Sequence, residues 1–240
     1  MTTIFWRKLI LIGAFLGLSA CSQSEGPAET GPGEGDAAAT EATPVAGTAG
    51  LQIQALEWRN VGPFNGGRGT TVVGHPTETM VFYFGHSSGG LWKTEDAGTT
   101  WEQVGAGQFN YASVGAMAIY EKDPDIMYVG LGEPQLRQSV SWGDGMYKSV
   151  DGGVTWEHIG LDDALHIARV RVHPYNPDIV YVASMGHAFG PNEEKGVFRT
   201  QDGGESWERV LFKNEGTGAI DLIMSPDDPN LLFAALWEFE

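Results

Sequence analysis

The sequence predicts an all-β fold, a β-propeller of four-stranded blades, of which the 240 residues contain about three and a half. Three observations lead to this prediction. A short turn phrase occurs three times, an apolar run occurs four times at a regular distance, and no helix pattern separates the runs. A repeat of about 50 residues with these features is typical of propeller blades.

The turn phrase has the form Ser/Thr-x-Asp-x-Gly-x-Thr/Ser-Trp. The Asp can accept hydrogen bonds from backbone N–H groups, and the Gly supplies a positive φ. The Trp restarts a strand and gives a small hairpin a large side chain to bury. Catalytic carboxylates must flank one bond at about 5–10 Å, so Asp residues on separate blades are predicted to be structural. The Asp and Trp residues of the three copies are Asp96 and Trp101, Asp151 and Trp156, and Asp202 and Trp207.

The apolar runs set the length of the repeat. Their third positions are Tyr83, Tyr128, Tyr181 and Phe233, which gives steps of 45, 53 and 52 residues. Turns that contain Pro come before the last three runs, at residues 123–125, 176–178 and 228–230. The first strands of the four blades are predicted at residues 70–73, 113–119, 167–172 and 219–224.

The N-terminus has the pattern of a secretory signal over residues 1–20. Arg7 and Lys8 precede an apolar run over residues 9–18, which is too short to span a membrane. The following Leu-Ser-Ala-Cys resembles the lipobox of bacterial lipoproteins, which implies cleavage before Cys21 and lipidation of its sulfur. The alternative is an ordinary signal peptide with an incidental Cys. Cys21 is the single Cys of the chain, so no intramolecular disulfide is expected.

Residues 21–50 are rich in Gly, Ala, Pro and acids and are predicted to be a disordered tether. The blades then occupy residues 51–240. Because an open set of blades would expose a wide edge, we expect the propeller to be incomplete here and to continue beyond the C-terminus. The expected location is the bacterial cell envelope, lipid-anchored, at the outer membrane rather than the inner one because Ser22 follows the Cys, or else extracellular.

The formal net charge is −17, and it becomes −19 without Arg7 and Lys8. This argues against nucleic acid or an anionic membrane surface as a partner of the folded part. No cluster of His, Cys and carboxylates has metal-ligand spacing, and no phosphate loop or dinucleotide fingerprint is present. Neither a metal nor a cofactor is therefore expected.

Ligands usually meet a propeller at the loops of one end of its central channel. Polar residues at the start of each inner strand, and in the loop after each second strand, are therefore the ligand-binding candidates. The alternative for each of them is a structural role in fastening neighbouring blades. The candidates are Arg68, Glu133, Arg137, His166, Arg169, His187 and Asp221.

The three phrases resemble Asp-box (BNR) repeats, and the surrounding sequence resembles a bacterial family of secreted propellers. Its members are described as sortilin N-terminal-like, VPS10-like or BNR-repeat glycosyl hydrolases. The resemblance covers about residues 56–240 and is most specific at residues 58–64, 89–93, 143–149 and 186–193. It implies the fold more than the function, because Asp-boxes occur in sialidases, xyloglucanases, sortilins and photosystem assembly factors alike.

Two enzyme patterns of the resembling proteins are not matched. Xyloglucan-cleaving enzymes have a catalytic Asp in a Tyr-Ala-Arg-Thr-Asp-x-Gly-Gly stretch, and Ser87 occupies that position here. A Ser cannot accept the proton unaided. Sialidases place their first Arg in an Arg-Ile-Pro motif, whereas Arg68 lies between glycines.

Two functions follow from the resemblance. The preferred one is an envelope-tethered sortilin-like propeller that binds a peptide, protein or glycan and is not catalytic in this part. The alternative is a secreted glycoside hydrolase with catalytic residues partly outside these residues.

Overall fold

The computed structural model describes residues 67–239, and every regular element in this range is a β-strand. Three four-stranded antiparallel sheets and one hairpin follow each other along the chain. This confirms the predicted fold of successive propeller blades. The signal over residues 1–20, Cys21, the tether over residues 21–50 and the segment at 58–64 lie outside the described residues. These four features stay predictions.

Each blade is an up-and-down meander in which strand order follows chain order. Blade 1 consists of β1 (Gly69–Gly74), β2 (Phe82–His86), β3 (Leu91–Thr94) and β4 (Glu102–Val104). Blade 2 consists of β5 (Val114–Ile119), β6 (Met127–Leu131), β7 (Met146–Ser149) and β8 (Glu157–His158). Blade 3 consists of β9 (Ile167–His173), β10 (Asn176–Ser184), β11 (Gly196–Thr200) and β12 (Glu208–Leu211). The blade 4 hairpin consists of β13 (Thr217–Met224) and β14 (Leu232–Glu238). Between residues 67 and 239, no helix has the length and apolar character needed to cross a membrane.

The four predicted first strands fall on β1, β5, β9 and β13. One predicted turn is wrong, because residues 176–178 belong to β10. Asn176 pairs with His173, and regular pairing resumes only at Val180. Pro177 has no N–H to donate to a ladder, so this part of the strand forms an irregularity instead of a separate turn.

The strand register defines two ends of the blades. At the upper end, each first strand begins beside the end of its second strand, as in the pairs Gly69–His86 and Val114–Leu131. The β2–β3, β6–β7 and β10–β11 loops lie at this end. The Asp-box turns join third to fourth strands and therefore lie at the opposite, lower end.

Apolar side chains between neighbouring sheets form three successive cores. In β6, Met127 and Val129 pack toward blade 1, whereas Tyr128 packs toward blade 3. This alternation is the period of two expected of a strand buried on both faces. A third core joins blade 3 to the hairpin through Met185 and Leu222. Blades 2 and 3 are thus each packed against a neighbouring sheet on both sides.

The Asp-box turns are closed by side-chain hydrogen bonds. Asp202 accepts from the Thr200 hydroxyl at 2.6 Å and from the Ser206 amide at 3.0 Å, and the other two copies repeat these bonds. Gly204 has φ 105°, and the Gly at the same position in the other copies has φ 88°. Trp207 lies just before its strand, not within it, and donates its indole N–H to the Ile159 carbonyl at 2.6 Å.

We expect Gly204→Ala to lower the free energy of unfolding by about 2–4 kcal/mol, because it combines backbone strain with a clash. A Cβ there would lie 2.5 Å from Ile159 Cδ1. Gly190→Ala is the matched control, since Gly190 also has a positive φ but nothing within 4 Å of a Cβ. It should cost about 1 kcal/mol of strain alone. Urea denaturation measures both, and equal losses would contradict the contact with Ile159.

Candidate functional site

Glu133 is a buried carboxylate held by two arginines at the upper end. Arg68 Nε lies 2.6 Å from Glu133 Oε1, and its Nη2 donates to Glu133 Oε2, which makes a bidentate pair. Arg137 Nε lies 3.5 Å from Oε1, and the Ser141 amide donates to Oε2 at 3.4 Å. This group joins the start of blade 1 to the β6–β7 loop of blade 2.

Local backbone geometry directs Glu133 inward. Gly132 follows β6 with φ 89°, and its amide donates to the Ser113 carbonyl at 2.8 Å. A side chain at position 132 would collide with the Leu165 backbone. Only Gly allows the chain to turn this tightly between two inner strands. The Glu133 side chain is therefore buried instead of exposed to solvent.

The Arg68 guanidinium decides the charge state of Glu133. Burial by itself would raise the pKa of this carboxyl. The hydrogen bond and charge of Arg68, with the Ser141 amide and Arg137, more than offset burial and hold the pKa below its usual value. Glu133 is therefore an ionised structural anion at neutral pH.

His166 is fully buried at the start of β9, behind this group. Neither ring nitrogen has a well-aligned hydrogen bond to a partner in residues 67–239, although the Glu133 backbone lies close to the ring. Burial lowers the pKa of His166 to about 4, and the nearby Glu133 backbone and charge oppose this only in part. The imidazole is therefore neutral at neutral pH.

Arg169 and Asp221 form a second ion pair, between β9 and β13. Arg169 Nε lies 2.7 Å from Asp221 Oδ1, which also accepts the Leu222 amide at 2.8 Å. Burial would raise the pKa of Asp221, but Arg169, the Leu222 amide and Arg171 together lower it. Arg171 lies two positions further along β9 and bonds the Val170 carbonyl.

A cavity of about 380 Å³ lies among the inner strands, between the two ion-pair groups. It is adjacent to Glu133 through the Pro134–Leu136 segment and is lined by Arg169. We call it the axial cavity. Its lining residues are Thr70, Pro134, Gln135, Leu136, Ala168, Arg169, Ile220 and Trp237.

His187 pairs with a different carboxylate of the upper end. Its Nε2 lies 2.8 Å from Asp163 Oδ1, and Asn192 donates to Asp163 Oδ2 at 2.7 Å. These contacts join the β8–β9 connection to the β10–β11 loop. Six of the seven predicted residues belong to the two ion-pair groups or adjoin them, whereas His187 bonds Asp163 but lies near enough to His166 to help lower the pKa of that imidazole.

Several polar residues near the two ion-pair groups or at the upper end were missed by the sequence reasoning. Arg171 could have been found, because it shares a strand face with Arg169 at a spacing of two. Two others had no sequence signal. His86 is buried at the end of β2 without a hydrogen bond within the described residues, and burial lowers its pKa. Lys195 is fully buried, with Nζ 4.3 Å from the Phe239 ring centre.

The two ion-pair groups are better suited to binding a ligand than to acid–base catalysis. Both carboxylates beside the axial cavity are engaged by arginines. Ser87 is buried, and its amide donates to the Arg68 carbonyl at 3.0 Å.

The stretch from 67 to 239 holds no group of three His, Cys, Asp or Glu side chains arranged for a metal ion.

Repeated four-stranded sheets, Asp-box turns and an axial cavity define this part of the chain as blades of an Asp-box β-propeller. No family model matches the sequence. It is 26% identical to a Paenibacillus xyloglucanase over 191 residues, which cover 72% of this chain and 18% of that enzyme. It is 28% identical to a Hypocrea jecorina xyloglucanase over 193 residues, which cover 73% and 21%.

The fold is also that of a solved GH74 structure. An ancestral GH74 enzyme superimposes with a TM-score of 0.57 at 23% identity, over 75% of this chain and 23% of that one. The chain spans about a fifth of the length of the two xyloglucanases that it matches in sequence.

We expect Glu133→Gln to lower the free energy of unfolding by about 1–3 kcal/mol, because the buried side chain loses its charge-assisted hydrogen bonds to Arg68. The matched control is Glu208→Gln, which breaks the exposed Arg199–Glu208 pair of 2.6 Å. That change should cost about 0–1 kcal/mol. Chemical denaturation of both variants is the measurement, and a loss at Glu133 no larger than at Glu208 would contradict a structural role for the buried pair.

Stability should fall between pH 6.5 and pH 4 because of His166. Its pKa of about 4 in the folded state lies below the ordinary 6.5, so the unfolded chain binds more protons in this interval. The contribution is complete above pH 6.5 and decreases by about 2–3 kcal/mol toward pH 4. His166→Leu should give a shallower decrease in unfolding free energy than the unsubstituted protein. Parallel pH curves for the two proteins, each folded by circular dichroism at pH 7.5, would contradict this.

Proposed function

We propose that this part of the chain binds a polysaccharide at the upper end of the propeller channel and does not itself supply a catalytic carboxylate pair. The observation that carries the proposal is the engagement of Glu133 and Asp221 by Arg68 and Arg169 beside the axial cavity. A catalytic carboxylate must be free to take up or release a proton. The carboxylates of Glu133 and Asp221 are instead held ionised by arginines, and both of their pKa values are lowered.

A glycosidase needs one carboxylic acid with a raised pKa and one carboxylate that is free to act as base or nucleophile. The pKa values of Glu133 and Asp221 are both lowered, and their oxygens are occupied by guanidinium and amide donors. Neither can donate a proton to a leaving group at neutral pH. Both instead position arginines, which can bind a ligand.

The polysaccharide class is supported by the similarity to two xyloglucanases and by the aromatic side chains of the upper end. Trp237 lines the axial cavity. Trp142 and Phe189 are exposed in the β6–β7 and β10–β11 loops. Flat apolar rings with a polar rim are suited to the faces of sugar rings.

A second candidate is a glycoside hydrolase whose catalytic residues lie elsewhere in a longer protein. It is favoured by the same xyloglucanase similarity, because the chain spans only about a fifth of those enzymes. In that case the described blades would contribute binding groups only. Peptide or protein binding of the sortilin type stays a prediction from the sequence resemblance.

The proposal is tested by titrating the full-length protein with xyloglucan, mixed-linkage β-glucan and polygalacturonate, with reducing ends measured in parallel. We expect saturable binding that Trp237→Ala weakens about tenfold, the effect of losing roughly one aromatic contact. Tyr175→Ala, at an exposed aromatic residue of the lower end, is the control and should change nothing. Absence of binding would refute the proposed polysaccharide binding, and release of reducing ends that Glu133→Gln or Asp221→Asn abolishes would refute the non-catalytic role.

We also propose that the protein is anchored in the bacterial envelope through Cys21. The support is the residue pattern 7–21, which lies outside the described structure. Cys21→Ser should move the protein from the membrane fraction to the soluble envelope fraction and remove incorporated fatty acid. An unchanged membrane fraction would show that another feature holds it.

A further inference from the structure

Resting on the proposed polysaccharide binding, we propose that the axial cavity selects an anionic polysaccharide, one whose sugars carry carboxylate groups. The inference rests on where the chain places its arginines. It concerns the charge of the ligand, which the similarity to xyloglucanases does not determine.

Arginines are concentrated at the channel in an otherwise acidic chain. The formal net charge is −17, yet three of the six arginines in residues 67–239 lie in the two ion-pair groups of the upper end, with two carboxylates among them. These five groups leave an excess of one positive charge. The three are Arg68, Arg137 and Arg169.

These arginines differ in how many of their N–H donors are already hydrogen-bonded within the protein. Arg68 forms a bidentate pair with Glu133, so its Nε and Nη2 donors are both engaged. Arg137 reaches the same carboxylate only at 3.5 Å, at an oxygen that Arg68 already holds at 2.6 Å, and its side chain is 46% exposed. Arg169 bonds Asp221 through Nε, which leaves its two Nη amino groups for a ligand at the cavity wall.

Arg171 lies next to Arg169 on β9 and lines a separate cavity, which Glu121 and Pro174 also line, so it acts on the axial cavity only through its charge. Its hydrogen bond goes to the Val170 carbonyl, and Asp221 is already paired with Arg169. Burial and the neighbouring Arg169 lower the pKa of Arg171, while Asp221 opposes them. A guanidinium in this position favours an additional anion nearby, because a carboxylate would offset the repulsion between Arg169 and Arg171.

Two other acidic side chains of the upper end have partners of their own. Asp144 accepts from Asn110 at 2.7 Å and from the Tyr147 hydroxyl, and Asp163 is shared by His187 and Asn192. These two carboxylates are therefore already engaged by groups other than the arginines of the ion-pair groups.

The chemistry of the ligand follows from the geometry of guanidinium. Its planar fork matches a carboxylate with two parallel hydrogen bonds, whereas neutral sugar hydroxyls gain little from it over an amide. A uronic acid polymer offers a carboxylate on each ring and a sugar face for Trp237. Such a polymer would contact both the arginine donors and the Trp237 ring of the axial cavity.

The test is calorimetric titration of the full-length protein with an oligogalacturonate and with a neutral cello-oligosaccharide of equal length. We expect the acidic ligand to bind at least about tenfold more tightly, and Arg137→Gln to remove about tenfold of its affinity without changing that of the neutral ligand. Arg209→Gln, at an outer strand, is the control. Thermal melts confirm that each variant is folded.

The outcomes separate this inference from the proposed function. Binding of the neutral ligand alone, or an Arg137 variant with full affinity for oligogalacturonate, overturns the inference and leaves polysaccharide binding in place. Equal binding of poly-glutamate would overturn it as well, because it would show selection of charge without the sugar. Binding of neither oligosaccharide would overturn the inference, and the titration with xyloglucan would then decide separately on the proposed polysaccharide binding.

Discussion

Apolar packing between neighbouring sheets is the interaction on which the rest of the structure depends. A twisted four-stranded sheet whose strands are apolar on both sides cannot be stable alone in water. The successive cores, such as the one containing Tyr128 and Val180, exist only because one blade covers the next. This packing also fixes where the loops lie, because the starts of the inner strands must then converge at one end.

The polar interactions are arranged at the two ends of this apolar packing and have different roles there. At the lower end, each Asp-box closes its own turn with bonds made within eight residues of sequence. At the upper end, the bonds cross between blades, as Arg68 to Glu133 and Arg169 to Asp221 do. Buried carboxylates are costly unless paired, so these bonds hold the blades in register and fix arginines around the channel.

The same arrangement connects structure to function. Arg169 fastens two blades and also lines the axial cavity, so the structural and the ligand-binding interpretations that the sequence left open do not exclude each other at this residue. The carboxylates of Glu133 and Asp221 are occupied by structural bonds, whereas part of the guanidinium donors of Arg137 and Arg169 is left over. Ligand binding by the arginines is compatible with this division, and proton transfer by the carboxylates is not.

The sequence by itself determined the repeat, the strand type and the Asp-box turns, because these depend on residues close together in the chain. Asp202, Gly204 and Trp207 carry their own geometry, and the spacing of Tyr83, Tyr128 and Tyr181 gives the blade length. It also indicated which end of the blades would hold the polar candidates. Only the tertiary structure decided their partners, since Arg68 and Glu133 are 65 residues apart and Arg169 and Asp221 are 52 apart. Burial of His166 and Lys195 likewise depends on contacts between blades and on loop closure, which no local pattern encodes.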